Sequence, residues 1–390
     1  MSTSVELARR RASARAAQAG KAVPFRDPTR QLRSPRFEWK RALEEAVDSG
    51  GCFGSRDVVS AFEAEWATAT GAVAAEATAS GSAALVLTLL ALGVGPGDEV
   101  VTVPNTFVAT VEAIELIGAT PVLVDVDETT HTMDPARLPA ALGPRTKAVM
   151  PVHLYGRPAE LDAICEIAMG HGAAVVEEAT QAAGAAYRGR ACGSIGDVAA
   201  FSFGQSKPLA GFGEGGAVTT RSEAIAARLR LLNRHGQPEP HRHRLVGLNF
   251  RMHPLEAAVL RERLEARAYW LDRRREIAER YNAAFGRLGV LSNSVVPAGY
   301  RHAYYVYVIE VDDRDDVIGR LAREGIGCGV HYPTPIHLQS PHRRLGPPGS
   351  FPVSERLAGR VLSLPLYAEL EDEEVERVVA VVSGVLESRA

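Results

Sequence analysis

The chain has 390 residues, of which 46% are hydrophobic and 23% charged, with a formal net charge of −3. That length exceeds what a single core normally fills, so two domains are expected. The near-neutral balance gives no reason to expect nucleic acid or an anionic membrane as partner, and no run reaches the roughly 18 apolar residues of a membrane span. Four cysteines (Cys52, Cys165, Cys192, Cys328) form no C-x-x-C pair, which argues against a disulfide framework and fits a reducing cytoplasm.

Residues 1–22 are rich in Arg, Ala and Ser, lack the apolar centre of a secretory signal, and read as a disordered leader. From about Pro24, short β-rich runs alternate with longer helical ones. "FEWKRALEEAVDSGG", "SRDVVSAFEAEWATATG", "SGSAALVLTLLALG" and "FVATVEAIELIG" read as helices. "EVVTVP", "TPVLVDV", "RTKAVMPVH", "AAVVEEA", "DVAAFSFG" and "GGAVTT" read as strands. Strands separated by helices of about ten residues or more imply crossovers and a mainly parallel sheet. Past residue 222 come long charged helices, among them one over "PLEAAVLRERLEARAYWLDRRREIAERYNAAFGRLG", and then a β-rich segment, "YYVYVIEV" (304–311). The expected division is a large domain over 23–255 and a smaller α+β domain over 256–390.

The stretch "FSFGQSKPLAGFGEGGAVTT" (201–220) offers two readings. Gly211, Gly213 and Gly216 spell G-x-G-x-x-G, but a dinucleotide turn should open a helix, and "AVTT" reads as a strand. The NAD-dependent oxidoreductase reading is therefore weak. Lys207 is the alternative. A desolvated lysine amine forms Schiff bases with carbonyls, as pyridoxal phosphate (PLP) requires, together with an acidic partner for the ring nitrogen and a phosphate cradle. Glu177 or Glu178, ending "AAVVEEA", is the candidate acid. "ATASGSAAL" (77–85), a small-residue turn opening a helix, is the candidate cradle, and Phe107 the stacking aromatic. The histidines of "HRH" (241–243) and "HYPTPIH" (331–337) lack metal-ligand spacing, and no metal is expected. No G-x-S-x-G elbow occurs.

From about Val23 to the C-terminus these segments resemble the DegT/DnrJ/StrS-type PLP-dependent sugar aminotransferases. The motifs that carry the resemblance are "VPFRDPTRQ", "SGSAAL", "GVGPGDEVVTVPNTFVAT", "PVHLYGRPAELDAI", "VVEEATQAAGA", "GSIGDVAAFSFGQSK", "GEGGAVTT", "NFRM" and "GIGCGVHYPTPIHLQ". The resemblance implies the PLP fold type I, like aspartate aminotransferase, with a seven-stranded-type sheet. It implies Lys207 as the Schiff-base lysine, Phe107 on the ring, Ser82, Ala83 and Ser202 at the phosphate, and Gln181 near the ring's 3-oxygen. It puts Glu178 at the pyridine nitrogen, where the family usually has Asp. Asn249 matches a residue reaching the neighbouring subunit's phosphate, which implies a homodimer with shared active sites, and His331 and Tyr332 border the substrate. The implied reaction moves an amino group from L-glutamate or L-glutamine to a keto-sugar, nucleotide-linked, or a keto-cyclitol, in natural-product biosynthesis. Two other readings within PLP chemistry are a dehydratase, whose relatives carry His at the Lys207 position, and a non-catalytic PLP-binding regulator.

Overall fold

A computed structural model describes residues 22–34, 36–50, 56–290 and 293–388. The expected leader, save its last residue, and Cys52 lie outside them.

Seven strands form the main sheet: β1 (Ala74–Thr78), β2 (Glu99–Thr102), β3 (Thr120–Leu123), β4 (Thr146–Val149), β5 (Ala174–Glu178), β8 (Val198–Ser202) and β9 (Gly216–Thr220). A two-stranded ribbon, β6 (Ala186–Tyr187) with β7 (Arg190–Ala191), precedes β8. The order across the sheet is β1-β9-β8-β5-β4-β2-β3. Every pairing is parallel except those of β9, which runs antiparallel to both neighbours. Helices flank the sheet, and strands such as β8 are buried along their whole length, which explains their unbroken apolar runs. On one face Trp66 sets its ring edge-on to Phe201 and Phe203, each at a centroid distance of 5.0 Å. This is the geometry aromatic quadrupoles favour.

The strand β1 is the element that composition hides. "AAEAT" is mostly alanine, which strands disfavour, yet it is buried throughout and paired along β9. The long helix expected after residue 254 is two helices, Pro254–Glu265 and Arg267–Phe285. The break at Ala266 lets the second helix leave the main core, where Leu271 packs, and deliver Ile277, Tyr281 and Phe285 to another. That second core is built on the antiparallel pair β10 (Tyr307–Glu310) and β11 (Val361–Leu364), covered by helices Arg314–Arg323 and Asp372–Glu387.

β1, β2, β5 and β8 all end on one edge of the sheet, where open α/β folds hold their ligands. There the backbone is drawn very close. A Cβ on Gly81 would lie 2.6 Å from Ser202 Cβ, and one on Gly216 would lie 2.4 Å from the Ser80 carbonyl oxygen. Glycine is thus a steric necessity at both positions. The Gly81→Ala variant is expected to lose about 1–3 kcal/mol of stability through overpacking, read by chemical denaturation. Adding Ser202→Gly should recover most of that loss.

Candidate active site

At this edge lies a cavity of about 430 Å³, lined by Ser80, Gly81, Ser82, Phe107, Glu178, Thr180, Ser202, Lys207, Glu214, Tyr305, His331 and Tyr332 among others. The volume suits a small-molecule site. A larger groove of about 860 Å³ runs between helices Trp39–Asp48, Asp57–Thr70 and Pro254–Glu265. Arg41 and Arg261 there are already paired, with Glu262 and Glu65, and no lysine, histidine or cysteine lines the groove among the described residues, so the chemistry belongs to the smaller cavity.

Lys207 leaves the loop after β8, its N–H donating to the Gly204 carbonyl at 2.8 Å, and its Nζ has no hydrogen-bonded or ion-paired partner among the described residues. Its Nζ sits over the ring of Tyr305, 4.7 Å from the centroid. Helix Gly81–Ala91 presents its N-terminus to the cavity. Ser80 is its N-cap, accepting from the Ala83 N–H at 3.1 Å. The Ala83 donor is therefore committed, and the first-turn N–H groups left without intrahelical partners are those of Gly81 and Ser82. Phe107 is 49% exposed at the mouth, its ring 5.8 Å from that of Tyr332.

The two glutamates of β5 have different surroundings. Glu177 faces away from the cavity and accepts from the N–H groups of Gly193 (2.7 Å), Ile195 (2.8 Å) and Gly196 (2.8 Å). His153 Nε2 lies 3.1 Å from its Oε2. The Ala159 N–H donates to His153 Nδ1, which assigns the ring proton to Nε2 and leaves it to donate to Glu177. Burial pushes Glu177 up, but His153 and the backbone donors outweigh it and hold the carboxyl below its usual range. Cys192 joins these two within a buried group whose ligating atoms lie within 4.8 Å of one another. Both oxygens of Glu177 are already spent inside the protein, so the group acts as a strut. Glu178, one residue on, lines the cavity and is 2% exposed. Burial raises its pKa, opposed by the bond from Thr180 and by the charge of Lys207.

Gln181 is buried but not part of the cavity wall. Its Oε1 accepts from the Tyr155 N–H and its Nε2 donates to Tyr332 Oη at 3.0 Å. His331 stacks on Phe25 and bonds Ser363 Oγ through Nδ1. Burial, with Arg26 and Lys207 nearby, pushes its pKa down to about 3. Asn249 is exposed and bonded to Arg251, outside this chain's cavity. Its segment nevertheless runs beside the cradle, with the Ala79 N–H donating to the Phe250 carbonyl at 2.6 Å.

Sequence reasoning missed Thr180 and Tyr305, and placed Ser80 in the expected cradle without singling it out. Ser80 was open to reading as an N-cap serine before a helix. Tyr305 sits within an apolar β-rich run that looks entirely like core. Burial pushes its phenol up, but the charges of Lys207 and Arg26 and bonds from Ser206 and Arg26 leave it below the ordinary tyrosine range.

A mainly parallel seven-stranded sheet with a partnerless lysine and a buried carboxylate at its carboxyl edge is the architecture of fold type I PLP enzymes. The chain belongs to the DegT/DnrJ/EryC1/StrS aminotransferase family, whose model matches residues 36–383, and it is a PLP-dependent aminotransferase. It is 40% identical over 363 residues to the erythromycin biosynthesis sensory transduction protein EryC1 of Saccharopolyspora erythraea, covering 93% of this chain and 99% of that one. It is 39% identical to the dTDP-3-amino-3,4,6-trideoxy-alpha-D-glucose transaminase of Streptomyces venezuelae, covering 92% and 95%. The crystal structure of S. venezuelae DesV in complex with a ketimine intermediate superposes with a TM-score of 0.90 at 39% identity, covering 94% of this chain and 99% of that one. The residues present fit PLP. The wall offers a free lysine amine, a buried carboxylate, an aromatic ring and a helix N-terminus that only glycine leaves open. Among the described residues, no helix is long and apolar enough to cross a membrane.

Glu177→Gln is expected to destabilise the fold by about 3 kcal/mol at neutral pH, since the amide nitrogen would face buried N–H donors that a carboxylate oxygen now accepts from. The native pKa of Glu177 is depressed. Its contribution is therefore complete above the ordinary carboxylate range and is lost as pH falls through the native value. The difference in melting temperature between wild type and variant should hold at neutral pH and narrow only below about pH 4.

Proposed function

We propose that this chain transfers an amino group from L-glutamate or L-glutamine to a keto-sugar, nucleotide-linked, or to a related keto-cyclitol, as a step in amino-sugar or antibiotic biosynthesis. The observation that carries this reading is the partnerless Lys207 across the same cavity from the buried carboxylate of Glu178. The sugar class is supported by the dTDP-sugar transaminase relative, which matches over nearly its whole length.

In this reading Lys207 is the Schiff-base lysine, and Glu178, not Glu177, pairs with the pyridine nitrogen. Glu177 is spent on backbone donors, whereas Glu178 faces the cavity. The first-turn N–H groups of Gly81 and Ser82, with the hydroxyls of Ser82 and Ser202, receive the phosphate, aided by the helix dipole. Ala83 serves by binding the Ser80 cap. Phe107 covers the ring face. Gln181 acts at the 3-oxygen side, where its bond to Tyr332 also orients that phenol. His331 and Tyr332 border the substrate. Asn249, exposed beside the cradle, reaches the phosphate of a neighbouring subunit, so the working form is a cytoplasmic homodimer with shared sites.

PLP, when bound, supplies an electron sink for the carbon bearing the amino group. Lys207 would take the proton from that carbon and deliver it to the cofactor carbon that receives the amino group, general acid–base work done within reach of both. Glu178 holds a compensating negative charge where water is scarce and charge pairing is strong. Phe107 and Tyr332 narrow the mouth and keep solvent from the transferring proton.

Lys207→Ala is expected to abolish both turnover and the visible absorbance of bound PLP; retention of both would refute its role. Glu178→Gln should lower kcat by about 100-fold or more while the protein still takes up cofactor. An unchanged kcat would move the nitrogen contact elsewhere. The substrate class is tested by loading the protein with pyridoxamine phosphate and offering keto-sugars, keto-cyclitols and nucleotide-linked ketones. Amino-product formation with the return of PLP absorbance identifies the acceptor, and failure with every ketone while simple 2-oxo acids react would exclude a sugar enzyme.

A further inference from the structure

Lys207 does have one neighbour of consequence. Its Nζ lies over the face of Tyr305, and the same ring carries a second cation, Arg26, whose Cζ is 4.8 Å from the centroid. Arg26 also covers Phe25 at 5.2 Å, and its Nη2 is buried without a hydrogen-bond partner. The segment bearing it is anchored where Val23 bridges to Ile326. Ser206, adjacent to Lys207, brings its Oγ to 3.3 Å from Tyr305 Oη. The His331 ring packs edge-on to Tyr305 at 6.0 Å. Tyr305 is thus held on several sides while still forming part of the cavity wall.

Gathering two like charges around one ring is unfavourable between the charges themselves, so the arrangement is not one that stability alone selects. The reaction makes a particular demand of a Schiff-base lysine. Its amine is released from the cofactor and must stay within reach while substrate occupies its place. A lysine carries a flexible four-carbon stem, and an amine free to sweep the cavity loses the orientation that makes its proton transfer effectively intramolecular. The carboxylates of the wall, Glu178 and Glu214, are the other places it could settle. Pairing with Glu178 would withdraw that residue from its own task. An aromatic face attracts an ammonium without fixing it covalently or neutralising it.

We propose that Tyr305 is a positioning residue for Lys207: its ring is the seat to which the amine returns whenever it is not joined to the cofactor, and Arg26 locks that ring from its other contact. This rests on the reading of Lys207 as the Schiff-base lysine.

The chain contains only four lysines, Lys21, Lys40, Lys147 and Lys207, so the seat can be probed directly in cofactor-free protein. Acetylation with acetic anhydride, followed by peptide mapping, gives the rate at Lys207 relative to the exposed Lys40 and Lys147. In Tyr305→Leu the Lys207 rate is expected to rise about fivefold, with Lys40 and Lys147 unchanged. Tyr305→Phe, which keeps the ring, should stay within about twofold of wild type. In the loaded enzyme Tyr305→Leu should lower kcat and leave the donor KM unaltered, and Tyr305→Phe should restore kcat. A Lys207 rate in Tyr305→Leu equal to wild type overturns the proposal. Should that variant not fold, Arg26→Gln carries the test: a raised Lys207 rate supports the seat, and a wild-type rate overturns it. Borohydride reduction of the PLP-loaded wild type separates the two readings. Cofactor fixed on Lys207 with no change in labelling among the variants refutes the seat alone, whereas cofactor fixed elsewhere refutes the assignment of Lys207 itself.

Discussion

The site depends on how one buried carboxylate is satisfied. Glu177 takes three backbone N–H groups from the turn between Gly193 and Gly196 and a fourth donor from His153. A charged group so deep in the protein is tolerated only when its acceptor sites are filled in this way. The strut ties the end of β5 to the turn that leads into β8, and adjacent strand residues point to opposite faces. Fixing Glu177 on one face therefore aims Glu178 at the other, into the cavity. Two neighbouring glutamates of identical chemistry acquire different surroundings from strand geometry alone. The same strut explains why the outer of the pair remains high in pKa while the inner one is held low: the inner has donors on every side, and the outer has little beyond Thr180 and the charge of Lys207.

The second constraint is absence of volume. β1, β8 and β9 meet where Thr78, Ser202 and Gly216 stand side by side. Helix Gly81–Ala91 starts directly above them. Its N-terminus approaches the sheet edge only because Gly81 and Gly216 carry no side chain. The reversed direction of β9 belongs to the same solution. After delivering Lys207, the chain re-enters the sheet antiparallel beside β8, between it and β1, with Gly216 as the point of entry. Of the glycines that imitate a dinucleotide fingerprint, Gly216 passes the backbone through a gap, whereas a Cβ on Gly211 or Gly213 would meet only the Glu256 side chain. Gly216 opens a strand, and no helix follows it to receive a pyrophosphate.

Much of this was legible in the sequence. The alternation of strands and helices gave the parallel sheet, because crossovers of helical length leave few other options. Lys207 stood out as a lysine after a buried strand, and Ser82, Phe107, Glu178, Ser202, Lys207, His331 and Tyr332 all come to one cavity. What the sequence left undecided were matters of direction and depth. Whether Glu177 or Glu178 faced the site depended on register, which neither residue reveals by itself. β1 was hidden because alanine carries no strand signal and the pairing with β9 is what makes it a strand. Tyr305 was hidden for the opposite reason, since a tyrosine within "YYVYVIEV" has every mark of a core residue. Its role emerges only once segments about 100 positions apart, Ser206 and Tyr305, are seen in contact.

The charge of the wall bears on the form in which the enzyme works. Lys207 is its one cation, set against Glu178 and Glu214, and no arginine lines it among the described residues. A cofactor phosphate together with the carboxylate of an amino-acid donor, and the diphosphate of a nucleotide-linked sugar, would bring several negative charges into or beside this space. A helix N-terminus offsets about half a charge, which leaves the balance unmet by this chain's own wall. Meanwhile Asn249 and Arg251 stand exposed on a segment hydrogen-bonded beside the cradle, with Arg251 Nε–H donating to Asn249 Oδ1. One copy thus has exposed polar and cationic groups outside its cavity, while its own wall sets only the cradle and Lys207 against that charge. A two-fold pair of such chains would meet both conditions with a single contact, since a symmetric interface offers each protomer the surface that the other needs. That complementarity of deficit and surplus supports the proposed homodimer.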